Sequence, residues 1–189
     1  MMFVRKIIRR LYPAWVLFTL KIRYLFLGFD NVNCYLSQCE SRVLPAALRL
    51  FGADIGEETV FEFALIINTD ATIKYQNLRV GNRCHIGKNV LLDLKGKIFI
   101  GDNVTISMGS SVISHFDAGR SGVSAFYPVK IGEVYIGSNC YLGANSTILM
   151  GVRVDECCVV GAGAVITKNI PSNTVVAGVP AKVIKKTRK

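Results

Sequence analysis

Residues that bind metals are scarce or badly spaced in this sequence. It has two histidines, His85 and His115, and its six cysteines include no CxxC pair. This pattern predicts no metal site, because zinc needs three or four grouped ligands. A chain of 189 residues can bury an ordinary core without disulfides. Cys84, Cys140 and Cys158 occupy small apolar positions of a repeat, so we interpret them as buried free thiols and predict a cytoplasmic location.

Acidic residues are also few. Thirteen Asp and Glu stand against 23 Lys and Arg, for a formal net charge of +10, and the tail KVIKKTRK is strongly basic. Six basic residues precede the first acidic residue, Asp30: Arg5, Lys6, Arg9, Arg10, Lys21 and Arg23. Basic ends of this kind favour the phosphates of nucleotides, lipid headgroups or nucleic acid. Charge is the sole argument for nucleic acid, so we do not predict nucleic-acid binding.

A hydrophobic run long enough to cross a membrane is missing as well. The longest uncharged run near the N-terminus, residues 11–20, contains Pro13 and is about half the roughly 20 residues that a spanning helix needs. No small-residue cleavage site follows, which argues against a signal peptide. Basic residues interleaved with aromatic residues such as Trp15 and Phe18 favour an interfacial segment on the anionic inner face of the cell membrane. The alternative is that this apolar face packs on the protein's own core or on a partner subunit.

What the sequence does contain is a six-residue rhythm of large apolar residues. With shifts of phase before Val80 and Ile100 and a lapse before Ile136, the repeated positions are Ile55, Phe61, Ile67, Ile73, Val80, Ile86, Leu92, Ile100, Ile106, Val112, Ile136, Leu142, Ile148, Val154, Val160 and Ile166. No helix or ordinary strand has a period of six, so the rhythm predicts a repeat architecture. We expect a triangular coil of short strands, with the apolar residue inside and Gly, Asn or Asp at the corners.

The rhythm also predicts the domain organisation. Residues 1–52 precede it and are expected to be helical, because SRVLPAALRLFG has apolar residues at helical spacing and ends on Gly52. Residues 53–178 form the coil, and residues 179–189 form a basic tail. Within the coil, the stretch SHFDAGRSGVSAFYPVKIG lacks repeat residues, so residues from about 116 to 129 should leave the coil as a loop.

Residues 101–186 resemble the hexapeptide-repeat (left-handed β-helix) acyltransferases, and in particular the sugar O-acetyltransferases of the maltose/galactoside and capsule or exopolysaccharide type. The resemblance is carried by IGDNVTI, the Ser114-His115 pair, IGSNCYLGANSTIL and GAGAVITKNIPSNTVVAGVPAKVIKK. The last stretch is the most specific, because the generic repeat does not require TKxIP or AGxPAKxI. The resemblance implies a mainly β protein built on a left-handed parallel β-helix, with acetyl-CoA as co-substrate and a homotrimer as the assembly.

The lapse in the rhythm begins just after His115. A smooth prism has no pocket, so an interruption is where a catalytic cleft is expected. Acyl transfer to a hydroxyl needs a base, and histidine is the natural one near neutral pH. The resemblance assigns this role to His115. Asp117 is a catalytic candidate for orienting the ring, while Asp93 or a backbone carbonyl is the alternative.

The resemblance further implies that acetyl-CoA lies along a groove between adjacent prisms. The matching positions are Ala144, Ala162, Thr167, Lys168 and Lys182. Small residues let the pantetheine arm approach backbone amides, and lysines meet the phosphates.

On the acceptor side, the candidates are Tyr135 and Asp93. Tyr135 precedes IGSN, where relatives often carry an aromatic residue. His85 stands in unbroken rhythm, so we predict an ordinary surface position for it.

We therefore predict acetyl transfer from acetyl-CoA to a hydroxyl of a saccharide, free or lipid-linked, in surface polysaccharide synthesis. An acyltransferase on an antibiotic or another small hydroxyl or amine acceptor is the alternative enzyme. A β-helix carbonic anhydrase needs three histidine ligands and is excluded by the histidine count. A non-catalytic scaffold trimer is the alternative outside the enzymes, and it predicts that His115 is dispensable.

Overall fold

The computed structural model describes the backbone of residues 2–187 and the side chains of residues 11–187. The basic residues Arg5, Lys6, Arg9 and Arg10, on which part of the predicted membrane segment depends, lie outside the residues whose side chains are described.

The centre of the protein is a coil with three faces, each a parallel sheet of short strands. The first face contains β1 (Asp54–Ile55), β4 (Leu78–Val80), β7 (Ile98–Ile100), β12 (Val134–Ile136) and β15 (Arg153–Val154). The second contains β2 (Val60–Phe61), β5 (His85–Ile86), β8 (Thr105–Ile106), β13 (Tyr141–Leu142), β16 (Val159–Val160) and β18 (Thr174–Ala177). The third contains β3 (Ile66–Asn68), β6 (Leu91–Asp93), β9 (Ser111–Val112), β14 (Thr147–Ile148) and β17 (Val165–Ile166). After β18, the antiparallel strand β19 (Lys182–Lys186) ends the second face.

The six-residue rhythm fills the interior of this coil, as predicted. With the exception of Ile73, every repeated position is at most 7% exposed, and residues six apart belong to successive faces. Parallel pairing places the equivalent repeat positions of successive turns side by side: Ile86 lies beside Ile106, and Ile106 beside Leu142. Burying such a side chain contributes about 1.5–3 kcal/mol.

The corners between faces need backbone conformations that most residues avoid. Asn89, Asn103, Asn139 and Asn145 have φ values of 54°, 56°, 61° and 56°. Asparagine tolerates this left-handed region better than other non-glycine residues. The predicted use of asparagine at corners is confirmed at these positions.

Ile73 departs from the prediction that it continues the coil. Residues 71–77 form turns, not a strand, and Ile73 is only half-buried. The cause is Asp70, whose Oδ1 accepts the N–H groups of Thr72 and Ile73, each at 2.9 Å, and so folds the chain into a wide corner. The seven-residue step from Ile73 to Val80 in the sequence reflects this corner.

The N-terminal region is helical. Helix α1 (Met2–Leu36) is kinked at Gly28, whose φ of 78° and ψ of 178° are not helical, and α2 (Leu44–Leu50) follows. Across the kink, Arg23 Nη1 donates to Asn31 Oδ1 at 2.9 Å, and its guanidinium lies 4.2 Å from the Tyr35 ring centroid. The two segments of α1 therefore lie side by side.

An aromatic cluster joins these helices to the first turn of the coil. The Phe29 ring centroid is 5.2 Å from that of the fully buried Tyr75 and 5.9 Å from that of Phe51. Tyr75 also donates its hydroxyl to Asn33 Oδ1 at 3.0 Å. The helices thus cover the open end of the coil, which a repeat structure must protect from solvent. Within the described part of the chain, no helix is long and apolar enough to cross a membrane.

The coil is interrupted once, after β9. Strands β10 (His115–Phe116) and β11 (Lys130–Ile131) pair in an antiparallel hairpin, and the chain between them is exposed and includes a short 3₁₀ helix, Gly122–Ala125. Gly132 N–H donates to the Ser114 carbonyl at 2.8 Å and closes the neck of the hairpin. The coil then resumes at β12.

Candidate active site

His115 lies at the neck of the hairpin, the point where the chain leaves the third face. Its side chain is 24% exposed, so the ring is held by the protein on one side and reaches the surface on the other. The ring Nδ1 is 2.5 Å from Asp93 Oδ2. Asp93 is the last residue of β6, which pairs with β9 on the third face.

The Asp93 carboxylate is almost completely buried, at 2% side-chain exposure, and is surrounded by donors. Oδ2 accepts the backbone N–H of Ser114 at 2.9 Å and of His115 at 3.0 Å, and Oδ1 accepts the Asn68 amide at 2.9 Å. A buried carboxylate is tolerated when both oxygens are hydrogen-bonded in this way.

These contacts determine the ionisation of Asp93. Burial by itself raises the pKa of its carboxyl, but the hydrogen bonds from the His115 ring and from the Ser114 and His115 N–H groups outweigh it, so the pKa lies below its usual range. An ionised carboxylate can only accept hydrogen bonds, so the Nδ1 that faces it carries the hydrogen. In the neutral ring this leaves the lone pair on Nε2, which is the state of a proton acceptor.

Ser114 fixes the geometry of the neck. It is fully buried; its hydroxyl donates to the Asp93 carbonyl oxygen and accepts the Gly96 N–H at 2.7 Å. In the sequence, Ser114 stood out only as part of a motif, and Asn68 did not stand out at all.

The structure gives the orienting position to Asp93 and not to Asp117. Asp117 is exposed, and its Oδ1 accepts the N–H of Gly119 at 2.6 Å, which stabilises the turn that starts the loop. Asp93 was also a candidate for contacting the acceptor. Its carboxylate is buried and faces the His115 ring, so the structure places it to orient that ring instead.

Two of the residues predicted to bind acetyl-CoA, Ala144 and Ala162, lie on another edge of the coil, between the second and third faces. The Gly163 N–H donates to the Ala144 carbonyl at 2.8 Å, so Ala144 and Ala162 occupy successive turns of that edge. A Cβ on Gly143 would lie 2.5 Å from the Ala162 nitrogen, so the edge is closely packed there. Small residues thus leave a shallow edge with backbone groups near the surface, which fits a slender pantetheine arm.

The remaining predicted residues are divided between two edges: Thr167 and Lys168 come after the third face, as His115 does, whereas Lys182 lies near the edge of Ala144 and Ala162. Thr167 and Lys168 follow β17 and are exposed, and Lys182 in β19 pairs with Ala177. Exposed lysines in the last turn of the coil fit the phosphates of a nucleotide.

The two tyrosines of this region lie on different faces. Tyr135, the predicted acceptor-side residue, is on the first face, where the Arg153 guanidinium lies 3.8 Å from its ring centroid. Tyr141 is on β13, three residues before Ala144, is 46% exposed and shares a 3.1 Å hydrogen bond with Ser107.

His85 lies on the second face and is exposed. It lines a surface depression of about 350 Å³ together with Glu62, Thr105, Ser107 and other residues. Whereas His115 has a buried carboxylate partner, His85 stands among side chains at the surface.

Comparisons with known proteins agree with this architecture. The family model described as the hexapeptide repeat of succinyl-transferase matches residues 77–114 and 133–168, and the gap between them is the hairpin. The putative colanic acid biosynthesis acetyltransferase WcaF of Escherichia coli (strain K12) is 32% identical over 139 residues, which cover 73% of this chain and 71% of that protein.

Two further similarities complete the comparison. Galactoside O-acetyltransferase of Escherichia coli (strain K12) is 35% identical over 115 residues, which cover 56% of this chain; the match spans 55% of that relative, or about half its length. A hexapeptide-repeat-containing acetyltransferase of Vibrio cholerae O1 biovar eltor, solved in complex with acetyl coenzyme A, has the same fold, with a TM-score of 0.74 at 19% identity; the alignment covers 89% of this chain and 90% of that one.

Proposed function

This chain belongs to the hexapeptide-repeat acetyltransferases, and from that premise we propose that it transfers the acetyl group of acetyl-CoA to a hydroxyl group of a saccharide. The observation that carries the proposal is the His115–Asp93 pair, placed where the coil is interrupted. A histidine whose Nδ1 is held by a carboxylate presents Nε2 as a base.

In the proposed reaction, acetyl-CoA supplies an activated acetyl thioester when it is bound. His115 Nε2 removes the proton of the acceptor hydroxyl as its oxygen attacks the thioester carbonyl, and the ring then gives that proton to the leaving sulfur. Asp93 stabilises the ring while it carries both protons, because its carboxylate stays ionised beside Nδ1. Ala144, Ala162, Thr167, Lys168 and Lys182 are proposed to hold the co-substrate.

We propose further that the active enzyme is a homotrimer. Within one chain, His115 follows a strand of the third face, whereas Ala144 and Ala162 follow strands of the second face. The base and these two proposed co-substrate residues therefore lie on different edges of the prism, whereas Thr167 and Lys168, which follow β17 of the third face, lie on the edge of His115. Threefold packing would bring one edge of each kind together in each of three clefts. Light scattering should give about three times the chain mass of 20.8 kDa.

The acceptor class is proposed from the relatives. Their names refer to colanic acid biosynthesis and to a galactoside. A saccharide acceptor, free or lipid-linked, in the synthesis of a surface polysaccharide is consistent with both names.

The proposal is tested by offering acetyl-CoA with a panel of saccharides and measuring the free thiol of released CoA and the acetylated product by mass spectrometry. Matched amino sugars in the panel separate O-acetylation from N-acetylation. We expect His115-dependent release with at least one hydroxyl acceptor. Release that requires an amine would change the acceptor class, and release that is identical in His115→Ala would overturn the proposed base.

A further inference from the structure

Helix α1 has two apolar faces, and only one of them is used inside the chain. Val16 and Leu20 are 1% and 0% exposed, so the inner face packs against the rest of the protein. On the opposite side lies a row of large apolar side chains spaced three or four residues apart, which we name the outer stripe: Leu11, Trp15, Phe18, Ile22, Leu25 and Phe26. These side chains are 41–74% exposed. A helix that is apolar on both faces is normally covered on both, so the outer stripe requires an occupant.

A basic depression lies beside the outer stripe. Its volume is about 340 Å³, and its lining includes Lys21, Tyr24, Leu50 and Lys74. Lys74 Nζ is 4.7 Å from the centroid of the Tyr24 ring. Among the described side chains, neither lysine forms an ion pair with a carboxylate. Two positive charges at the margin of an apolar surface match an anionic group located next to an apolar phase.

Charge decides between the possible occupants. The chain has no acidic residue before Asp30, and the polar positions next to the outer stripe include Lys21 and no carboxylate. Pairing this stripe with the same stripe of a second copy would bring like charges together, which is unfavourable at a helix interface. An anionic bilayer offers an apolar layer for the stripe and phosphates for the lysines, and Trp is favoured at the boundary between them.

We propose that the outer stripe and the Lys21–Lys74 depression form a docking surface for an anionic membrane. In this arrangement α1 lies flat in the membrane surface, the outer stripe enters the boundary of the acyl chains, and the two lysines contact lipid phosphates. The docking surface is independent of the proposed acetyl transfer, because it contains none of the residues assigned to that reaction.

Trp15 gives a direct test, because it is the single tryptophan of the chain and lies on the outer stripe. The full-length protein is mixed with vesicles of phosphatidylcholine alone, or of equal parts phosphatidylcholine and phosphatidylglycerol. We expect the Trp15 emission to move to shorter wavelength, and to be quenched by brominated acyl chains, with the anionic vesicles. Unchanged emission with anionic vesicles would overturn the proposal.

Two pairs of variants test the lysines. In vesicle sedimentation, Lys21→Gln with Lys74→Gln should lower the partition coefficient about 25-fold, because each basic residue near an anionic surface contributes about fivefold. Lys97→Gln with Lys130→Gln removes the same charge elsewhere and should lower it much less. Equal losses in both pairs would mean that net charge acts without a defined site and would overturn the role of the depression.

A separate pair of variants and a matched control test the outer stripe. Phe18→Ser with Leu25→Ser should lower vesicle partitioning by at least about tenfold, whereas Phe63→Ser, another exposed apolar residue, should have little effect. Light scattering of the same variants without lipid separates the membrane from a protein partner. If Phe18→Ser with Leu25→Ser changes the oligomeric mass while anionic vesicles never bind the wild-type protein, the stripe is a subunit interface and the proposal is wrong.

Discussion

The interior of the coil and the neck of its hairpin are made from the same stacked strands but hold opposite kinds of side chain. In the interior, Ile86, Ile106 and Leu142 lie side by side on successive turns, and all are fully buried. At the neck, one strand further round the prism, the buried residues are Asp93 and Ser114. The interior gains its free energy by removing apolar surface from water. The neck is stable because donors surround the carboxylate.

This contrast separates stability from chemistry in the molecule. A change in the interior should lower the free energy of unfolding and leave the reaction of the folded enzyme unaltered. A change at the exposed side of the neck should do the reverse. Asp93 lies between these cases, because its carboxylate both holds the fold and orients the His115 ring.

The largest effect is expected from His115→Ala. Loss of a general base should lower kcat by about 10²–10⁴-fold. The melting temperature should hardly move, because the ring is partly exposed and its packing contribution is small. Turnover is followed by CoA thiol release and stability by thermal melting. A variant that loses stability in proportion to activity would contradict the separation.

Ile106→Ala tests the opposite region. Truncating a fully buried isoleucine should lower the free energy of unfolding by about 2–5 kcal/mol. The kcat of the folded fraction should remain close to that of the wild type, since Ile106 is interior to the second face. Chemical denaturation measures the first quantity and active-site-normalised kinetics the second. A large loss of kcat at full folding would show that the coil interior is coupled to the neck.

Asp93→Asn should lower both kcat and the free energy of unfolding, kcat by less than His115→Ala does and the free energy of unfolding by less than Ile106→Ala does. The new amide places N–H groups where Asn68, Ser114 and His115 already donate, so stability should fall by about 1–3 kcal/mol. The His115 ring loses its orienting partner, and a misplaced catalytic group costs about 10²-fold in kcat. Thermal melting and steady-state kinetics of the same preparation give both numbers.

The pH dependence of stability checks the same carboxylate. The pKa of Asp93 is lowered in the folded protein, so its contribution is complete above the unfolded pKa of about 3.9 and is lost as the pH falls through the lower folded pKa. Wild-type stability should therefore decline below about pH 4 more steeply than that of Asp93→Asn. Parallel acid curves for the two proteins would show that the pKa of Asp93 is not lowered by folding.

The smallest effect is expected from His85→Ala. His85 is an exposed strand residue, so stability should change by less than about 0.5 kcal/mol. Among the described side chains, no carboxylate orients the His85 ring as Asp93 orients His115, so any kinetic effect should fall on KM and not on kcat. A loss of kcat comparable to that of His115→Ala would contradict the assignment of the base.

Much of the fold could be predicted because its signal is local. An aliphatic residue at every sixth position, with Asn or Gly at the corner, is required by each turn of the coil separately. The position of His115 was equally readable, since it stands where the rhythm stops. Ile73 shows the limit of this reasoning: it keeps the rhythm, but the hydrogen bonds from Thr72 and Ile73 to Asp70 turn the chain out of the strand.

The carboxylate that orients His115 could not be identified from the residues next to His115 in the sequence. Asp117 is closer in sequence, but the chain turns outward there and its carboxylate bonds Gly119. Asp93 lies 22 residues before His115 and reaches it because β6 and β9 stack on the third face. The shifts of phase in the repeat decide which residues of successive turns lie side by side. The size of each shift depends in turn on how wide the corresponding corner is in three dimensions.

The sequence by itself determined the six-residue coil, the place of its interruption and the basic, apolar character of the N-terminal segment, because each depends on composition and spacing along the chain. The tertiary structure decided which carboxylate orients His115 and which face of α1 is left exposed. Both depend on packing between segments distant in sequence: strand stacking buries Asp93 beside the ring, and folding of α1 at Gly28 covers Val16 and Leu20 while leaving the outer stripe at the surface.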